Sequence, residues 1–177
     1  MSEERLYFAF GSNIHPQRIQ ERVGRVKFVS VAQLPSASLT FDKIGRDGSG
    51  KCNVEFTSDA RSEVFGALYR LTRGQKSELD EWESLGKGYI DMPIEVVTQQ
   101  GAVRAVCYRA SAEFVDDSLL PFPWYRDLVL LGATHLAFPE PYIRVLRKQA
   151  TTPDSDAARV RVHEILLSRI RETVVPV

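Results

Sequence analysis

The sequence predicts a single α+β domain, and three observations carry that expectation. Short apolar runs rich in β-branched and aromatic residues, broken by Gly, Asp, Ser or Pro, fill most of the first two thirds of the chain. Helix start and stop signals interrupt and follow those runs. The length, 177 residues, suits one hydrophobic core, and a hydrophobic content of 44% with nine Phe, six Tyr and two Trp supplies the burial that offsets the entropy of ordering.

The strands expected, in order, are Leu6 to Phe10, Lys27 to Leu34, Ser38 to Ile44, Cys52 to Thr57, Glu63 to Leu71, Met92 to Val97 and Val103 to Ala110. A first, short helix opens just after Asn13, with Pro16 in its first turn, Ile19 and Val23 four apart, and Gly24 as its stop. A second begins at Thr72-Arg73-Gly74-Gln75, which has capping-box spacing, and runs through Leu79 and Trp82 to Glu83 before Gly86 and Gly88. The third spans about Trp124 to Leu136, with Tyr125, Leu128, Val129 and Gly132 on one face. Pro139 separates it from a fourth that contains Ile143 and Leu146. Residues 1–150 form the domain on this reading, and 151–177 are a C-terminal extension. Its polar start, TTPDSDAAR, gives way to Val162, Ile165, Leu166 and Ile170, the pattern of an amphipathic helix docking on the domain or on a second subunit of a homodimer.

The balance of 23 basic and 23 acidic side chains, with no basic stripe, argues against nucleic acid as a partner. No run approaches the ~20 apolar residues of a spanning helix, and the N-terminus lacks the order of a signal peptide, so the expected location is the cytoplasm. Cys52 and Cys107 are too few for a disulfide framework and are read as reduced thiols.

Several motifs mislead. Gly45 to Lys51 has the spacing of a phosphate-binding P-loop, but Cys52 stands where a Ser or Thr should meet magnesium, and a strand-like run follows where a helix should. It reads as a turn between strands. Gly11-Ser12 lacks the glycine that a nucleophile elbow needs at position 10. His15, His135 and His163 are scattered singly without metal-ligand spacing, and a Cys107 and His135 pair carries almost no specificity.

Two features point to chemistry. Leu6 to Asn13 is an apolar strand ending in small and polar residues just before a helix, which places the main-chain amides of Phe10, Gly11, Ser12 and Asn13 where a carboxylate or an oxyanion would be stabilised. The plain alternative is a strand-to-helix turn with Asn13 as the cap. Glu83 lies four residues after Leu79 and shares its helix face. Pressed against apolar surface, such a carboxylate gains the raised pKa of a general base; left in water at a helix end, it is an ordinary surface group.

Together these features resemble the gamma-glutamylcyclotransferase family, which includes AIG2-like proteins and gamma-glutamylamine cyclotransferases. The family's first strand ends in Tyr-Gly-Ser-Asn and a Leu-like residue, matched by Phe10-Gly11-Ser12-Asn13-Ile14. Its Leu-Asp-x-x-Glu segment, closing on the catalytic glutamate, is matched by Leu79-Asp80-Glu81-Trp82-Glu83, with Tyr89 shortly after. Its late Tyr, Gly-Ala and Leu-Pro-x-x-Tyr pattern is matched by Tyr125, Gly132-Ala133 and Phe138-Pro139-Glu140-Pro141-Tyr142. The match departs at Phe10, where the family has tyrosine, and at Ser84, where it has glycine.

The resemblance implies a small mixed β-barrel with helices around it, and an enzyme that closes a gamma-glutamyl amide into 5-oxoproline, releasing an amine or amino acid by intramolecular acyl transfer. Glu83 would move the protons, Phe10 to Asn13 would hold the substrate, and Tyr89 and Tyr125 would line the pocket or find structural partners for their hydroxyls. No metal, cofactor or covalent intermediate is needed, because nucleophile and carbonyl belong to one molecule. The alternatives are a non-catalytic small-molecule binding module on the same fold, and a biosynthetic cyclotransferase that removes a gamma-glutamyl protecting group.

Overall fold

The computed structural model describes residues 4–172. Residues 1–3 and 173–177, the outer ends of the domain and extension expected from the sequence, lie outside the described residues. In chain order the elements are β1 (Arg5–Ala9), α1 (Pro16–Val23), β2 (Lys27–Pro35), β3 (Ala37–Ile44), β4 (Gly50–Phe56), β5 (Glu63–Leu71), α2 (Arg73–Trp82), β6 (Tyr89–Thr98), β7 (Gly101–Ala110), α3 (Pro123–His135), α4 (Glu140–Lys148) and α5 (Ala157–Glu172). A single 3₁₀ turn at Ala112–Phe114, not foreseen from sequence, follows β7.

Five strands close a barrel in the order β1-β5-β2-β6-β7. Four neighbours pair antiparallel, and β1 meets β7 in parallel with Tyr7 opposite Val106, so the barrel is mixed. Closure leaves no strand edge within the ring. Phe8 and Leu68 fill the core beside Tyr69, whose hydroxyl donates to the Ile14 carbonyl at 2.6 Å. Gly66 makes room for this packing, because a Cβ there would lie 2.5 Å from the Phe8 ring.

Strands β3 and β4 form a separate antiparallel hairpin. Its turn is the Gly-rich stretch 45–49, where the Asp47 carboxylate accepts the Ser49 amide at 3.0 Å and pairs with Lys51, at the start of β4, at 2.8 Å. The chain continues into β4, and no helix N-terminus is present there to hold a phosphate.

Helix α1 starts two residues later than the sequence suggested. The residue before a proline is biased to extended backbone, so His15, preceding Pro16, becomes the N-cap and its Nδ1 accepts the Gln17 amide at 3.2 Å. That frees Asn13 from capping. Helix α2 has the expected box: Thr72 and Gln75 exchange side-chain-to-backbone hydrogen bonds at 3.3 and 3.0 Å. Gln75 also donates to the Arg25 carbonyl at 2.7 Å, tying α2 to the chain just after α1.

Helix α3 packs tightly on the loop after β1. A Cβ on Gly132 would stand 2.7 Å from Ile14 Cβ and 2.8 Å from the His15 amide nitrogen. Helix α5 docks on α3 of the same chain, the His163 ring stacking on Trp124 at 3.6 Å. Its buried stripe is Leu166, Leu167 and Ile170, in helical register with His163. Val162 and Ile165, expected on that face, are exposed instead. Among the described residues, no helix is long and apolar enough to cross a membrane.

Candidate active site

The end of β1, the end of α2 and the start of β6 converge on one cavity. It is lined by Phe10, Gly11, Ser12 and Asn13 from the loop, by Glu83, Tyr89 and Tyr125, and by Tyr7, Cys52 and Tyr108. Every site residue expected from the sequence is therefore found on one wall or another of the same space. The cavity volume is about 30 Å³, enough for a water-sized molecule. A wider groove of about 530 Å³ runs between β3, β5 and α4, but its lining is largely apolar and does not gather the donor and carboxylate set found here.

Glu83 caps α2, donating its amide to the Leu79 carbonyl at 2.9 Å. The apolar setting expected for its carboxylate is not what the fold provides. Oε1 accepts from Arg22 Nη1 at 2.6 Å and from Asn13 Nδ2 at 2.9 Å. The same Arg22 atom donates to Asn13 Oδ1 at 2.9 Å, and Asn13 Nδ2 also reaches the Tyr7 hydroxyl at 3.2 Å. Freed from capping, Asn13 thus uses both ends of its amide within the site. Charge-assisted bonds of this kind fix the position of a carboxylate.

The residue after Glu83 turns the chain sharply. Ser84 has φ +56°, the left-handed conformation that favours glycine, and its hydroxyl accepts from Arg46 Nη2 at 2.6 Å. Here the β3–β4 hairpin is clamped to the turn that carries Glu83. Helix α2 is also anchored from below. The buried Lys76 ammonium binds the Asp91 carboxylate at 2.9 Å and Asp80 as well, and Tyr108 donates to Asp80 at 2.7 Å.

The two expected tyrosines have engaged hydroxyls. Tyr89 donates to the Cys52 carbonyl at 2.8 Å, and Tyr125 accepts the Cys52 amide at 3.1 Å. Both therefore line the cavity and brace β4 across it. Burial raises the Tyr89 and Tyr125 hydroxyls well above the ordinary tyrosine range, so they stand as protonated donors, and it pushes the Cys52 thiol up to about 12. Cys52 is thereby unsuited to act as a thiolate nucleophile. Gly11 fits because the space of a side chain is already taken: a Cβ would meet Cys52 Cβ at 3.0 Å and the Tyr125 hydroxyl at 3.4 Å.

Sequence reasoning missed Arg22, Tyr7, Tyr108 and Cys52. Arg22 had a faint signal, as the basic residue in the last turn of α1, three positions after buried Ile19 and so on the flank of the apolar stripe. Tyr108 and Cys52 had none, since only the folding of β4 and β7 against the β1 loop brings them near Glu83.

A second buried cation lies beside the cavity. Lys43, in β3, holds its ammonium 4.7 Å from the centroid of the Tyr89 ring. Burial lowers this ammonium below the usual lysine value, while the negative charge of Glu83 acts the other way.

Residues 63–146 match the AIG2-like family. The chain is 31% identical to gamma-glutamylcyclotransferase of Mus musculus over 147 residues, 80% of this chain and 77% of that one. It is 30% identical to the Bos taurus gamma-glutamylcyclotransferase, covering 81% and 78% of the two chains. A solved gamma-glutamyl cyclotransferase structure superimposes with a TM-score of 0.82 at 24% identity, covering 94% of this chain and 99% of the other.

Proposed function

This chain belongs to the gamma-glutamylcyclotransferase family of enzymes, and on that premise we propose that it converts gamma-glutamyl amides to 5-oxoproline with Glu83 as the proton-transferring group. The observation that carries this reading is the placement of one carboxylate, fixed by Arg22 and Asn13, in a cavity walled by the Phe10 to Asn13 loop.

The reaction joins the substrate's α-nitrogen to its γ-carbonyl carbon and breaks the bond from that carbon to the leaving nitrogen. At neutral pH the α-amine is protonated and unreactive until a base removes a proton. Glu83, fixed by its two donors, takes that proton and passes it to solvent; once the freed amine has attacked, Glu83 takes the second proton from the ring nitrogen and delivers it to the departing nitrogen, which leaves as an amine. No atom is gained or lost from the protein over the cycle. Because nucleophile and electrophile share a molecule, the main remaining task is to fold the substrate into its ring-closing conformer. The main-chain amides from Phe10 to Asn13 are suited to hold the glutamyl carboxylate or the tetrahedral oxyanion.

Incubating the protein with gamma-glutamyl amino acids, gamma-glutamyl amines and glutathione, and assaying 5-oxoproline, tests this reading. Product from at least one of them is expected; none from the whole panel would favour a binding module.

A further inference from the structure

Four tyrosines line the cavity, and their hydroxyls are not equivalent. Tyr89 gives its proton to the Cys52 carbonyl at 2.8 Å, and Tyr108 gives its own to Asp80 at 2.7 Å. Tyr125 is held by Cys52, accepting the amide at 3.1 Å with its hydroxyl against the thiol. Tyr7, in β1, differs. Its oxygen accepts from Asn13 Nδ2 at 3.2 Å, and among the described residues no acceptor takes its proton. A buried hydroxyl in that state forgoes a hydrogen bond it is built to make, and Tyr7 is just 4% exposed. Since Tyr7 lines the cavity, the unclaimed proton is open to whatever fills that space. Burial, reinforced by the negative charge of Glu83, raises this hydroxyl well above the ordinary tyrosine range, so it remains a donor.

Glu83 is left half used in a complementary way. Its Oε1 takes both donors, Arg22 and Asn13, and among the described residues no donor reaches Oε2. Asn13 Nδ2 donates to Tyr7 and to Glu83 alike, so one amide nitrogen sets the spacing between the two groups. A carboxylate that exchanges protons with the two nitrogens on the γ-carbon therefore has a neutral phenol beside it. The third polar substituent on that carbon is the carbonyl oxygen, which becomes an oxyanion as the α-nitrogen attacks. Resting on the cyclotransferase reading above, we infer that Tyr7 is a catalytic residue whose hydroxyl donates a hydrogen bond to the γ-carbonyl oxygen, leaving the main-chain amides of the Phe10 to Asn13 loop to hold the glutamyl carboxylate. The bond strengthens as charge develops on that oxygen. Tyr7 keeps its proton throughout, and the proton transfers stay with Glu83.

Tyr7→Phe keeps the ring and removes the donor. An oxyanion donor acts on the transition state, so kcat for 5-oxoproline release is expected to fall by roughly 10²–10³ with KM nearly unchanged. The limbs of the pH profile of kcat should stay in place, because a loss of height without displacement separates a donor to substrate from a group that acts on Glu83 through Asn13. A folded Tyr7→Phe protein that keeps kcat within a few-fold overturns the inference. So does a raised KM with kcat kept, which puts the hydroxyl on the glutamyl carboxylate, and so do displaced limbs, which make Tyr7 a positioning residue for Glu83. If melting curves show the variant unfolded, infrared spectra of the unmodified protein decide. The lactam carbonyl of 5-oxoproline is the former γ-carbonyl, and isotope-labelled at that carbon it should absorb at lower frequency when bound than in water; an unshifted or higher band overturns the inference. No product from any gamma-glutamyl compound with the unmodified protein overturns the cyclotransferase reading and this inference with it, whereas turnover that survives loss of the hydroxyl overturns this inference alone.

Discussion

Replacing Gly132 by alanine sets two effects of opposite sign against each other. In an ordinary helix interior the change stabilises by about 1 kcal/mol, since glycine is the more flexible residue. At this position the added carbon would lie 2.7 Å from Ile14 Cβ and 2.8 Å from the His15 nitrogen. Unstrained carbon contacts are about 3.5–4.0 Å, so α3 and the loop must part by roughly 0.8 Å or more. Overpacking of this kind costs about 1–3 kcal/mol, which leaves a net loss of about 0–2 kcal/mol after the helix gain. For a chain of this size that is a fall in Tm of up to about 8 °C. The displaced atoms sit one and two residues after Asn13, whose amide reaches Glu83 at 2.9 Å. A misplacement near 1 Å lowers turnover by roughly a hundredfold. Calorimetry or circular-dichroism melting gives the first quantity and 5-oxoproline release the second. A Gly132→Ala protein that melts higher than its parent and keeps full turnover would refute the close contact between α3 and the site loop.

Two further outcomes follow from the same geometry. Arg22→Met leaves a largely buried Glu83 with Asn13 as its remaining donor, and is expected to lower stability by about 2 kcal/mol and to reduce kcat; an unchanged urea midpoint together with unchanged turnover would contradict this role. Acid should also unfold the protein through its histidines. Burial lowers His15 and His163 to about 4 and lowers His135 as well, so the unfolded chain binds more protons than the folded one between about pH 6.5 and 4. The stability from keeping them neutral is complete above the unfolded value and is lost as pH falls through that window. For His15 alone the loss between pH 7 and 5 is on the order of 2 kcal/mol. Urea midpoints that hold level or rise over this range would show that the histidines are not buried in neutral form.

The strand order of the barrel could not be read from the chain, although the strands themselves could. Six of them differ from expectation only at their ends, and β5 runs over the same residues, Glu63 to Leu71. Periodicity reports which residues face a core but not which strand lies beside which, and the parallel meeting of β1 and β7 joins residues about a hundred positions apart. At the site, the residues legible in advance were those on continuous motifs: the loop through Asn13, and Glu83 one helical turn past Leu79. The invisible ones share a cause. Arg22, Cys52, Tyr108 and Lys43 lie on four different elements, and each gains its place by packing against a partner distant in sequence. The expected apolar setting of Glu83 failed for the same reason, since a helix face identifies what turns inward but not which cation waits there. Asn13 was weighed as a cap because the preference of Asn for that position is strong; the restriction that Pro16 places on His15 overrode it.

The central claim is that Glu83 carries the protons of ring closure, and Glu83→Gln tests it most directly. Glutamine keeps the size of the side chain and a hydrogen-bond acceptor for Arg22 and Asn13, but it is not a base near neutral pH. Measured as 5-oxoproline formed from the best gamma-glutamyl substrate, turnover should fall by a factor of roughly 10²–10⁴, while circular dichroism shows the fold retained. A folded Glu83→Gln protein that keeps most of its turnover would contradict the claim.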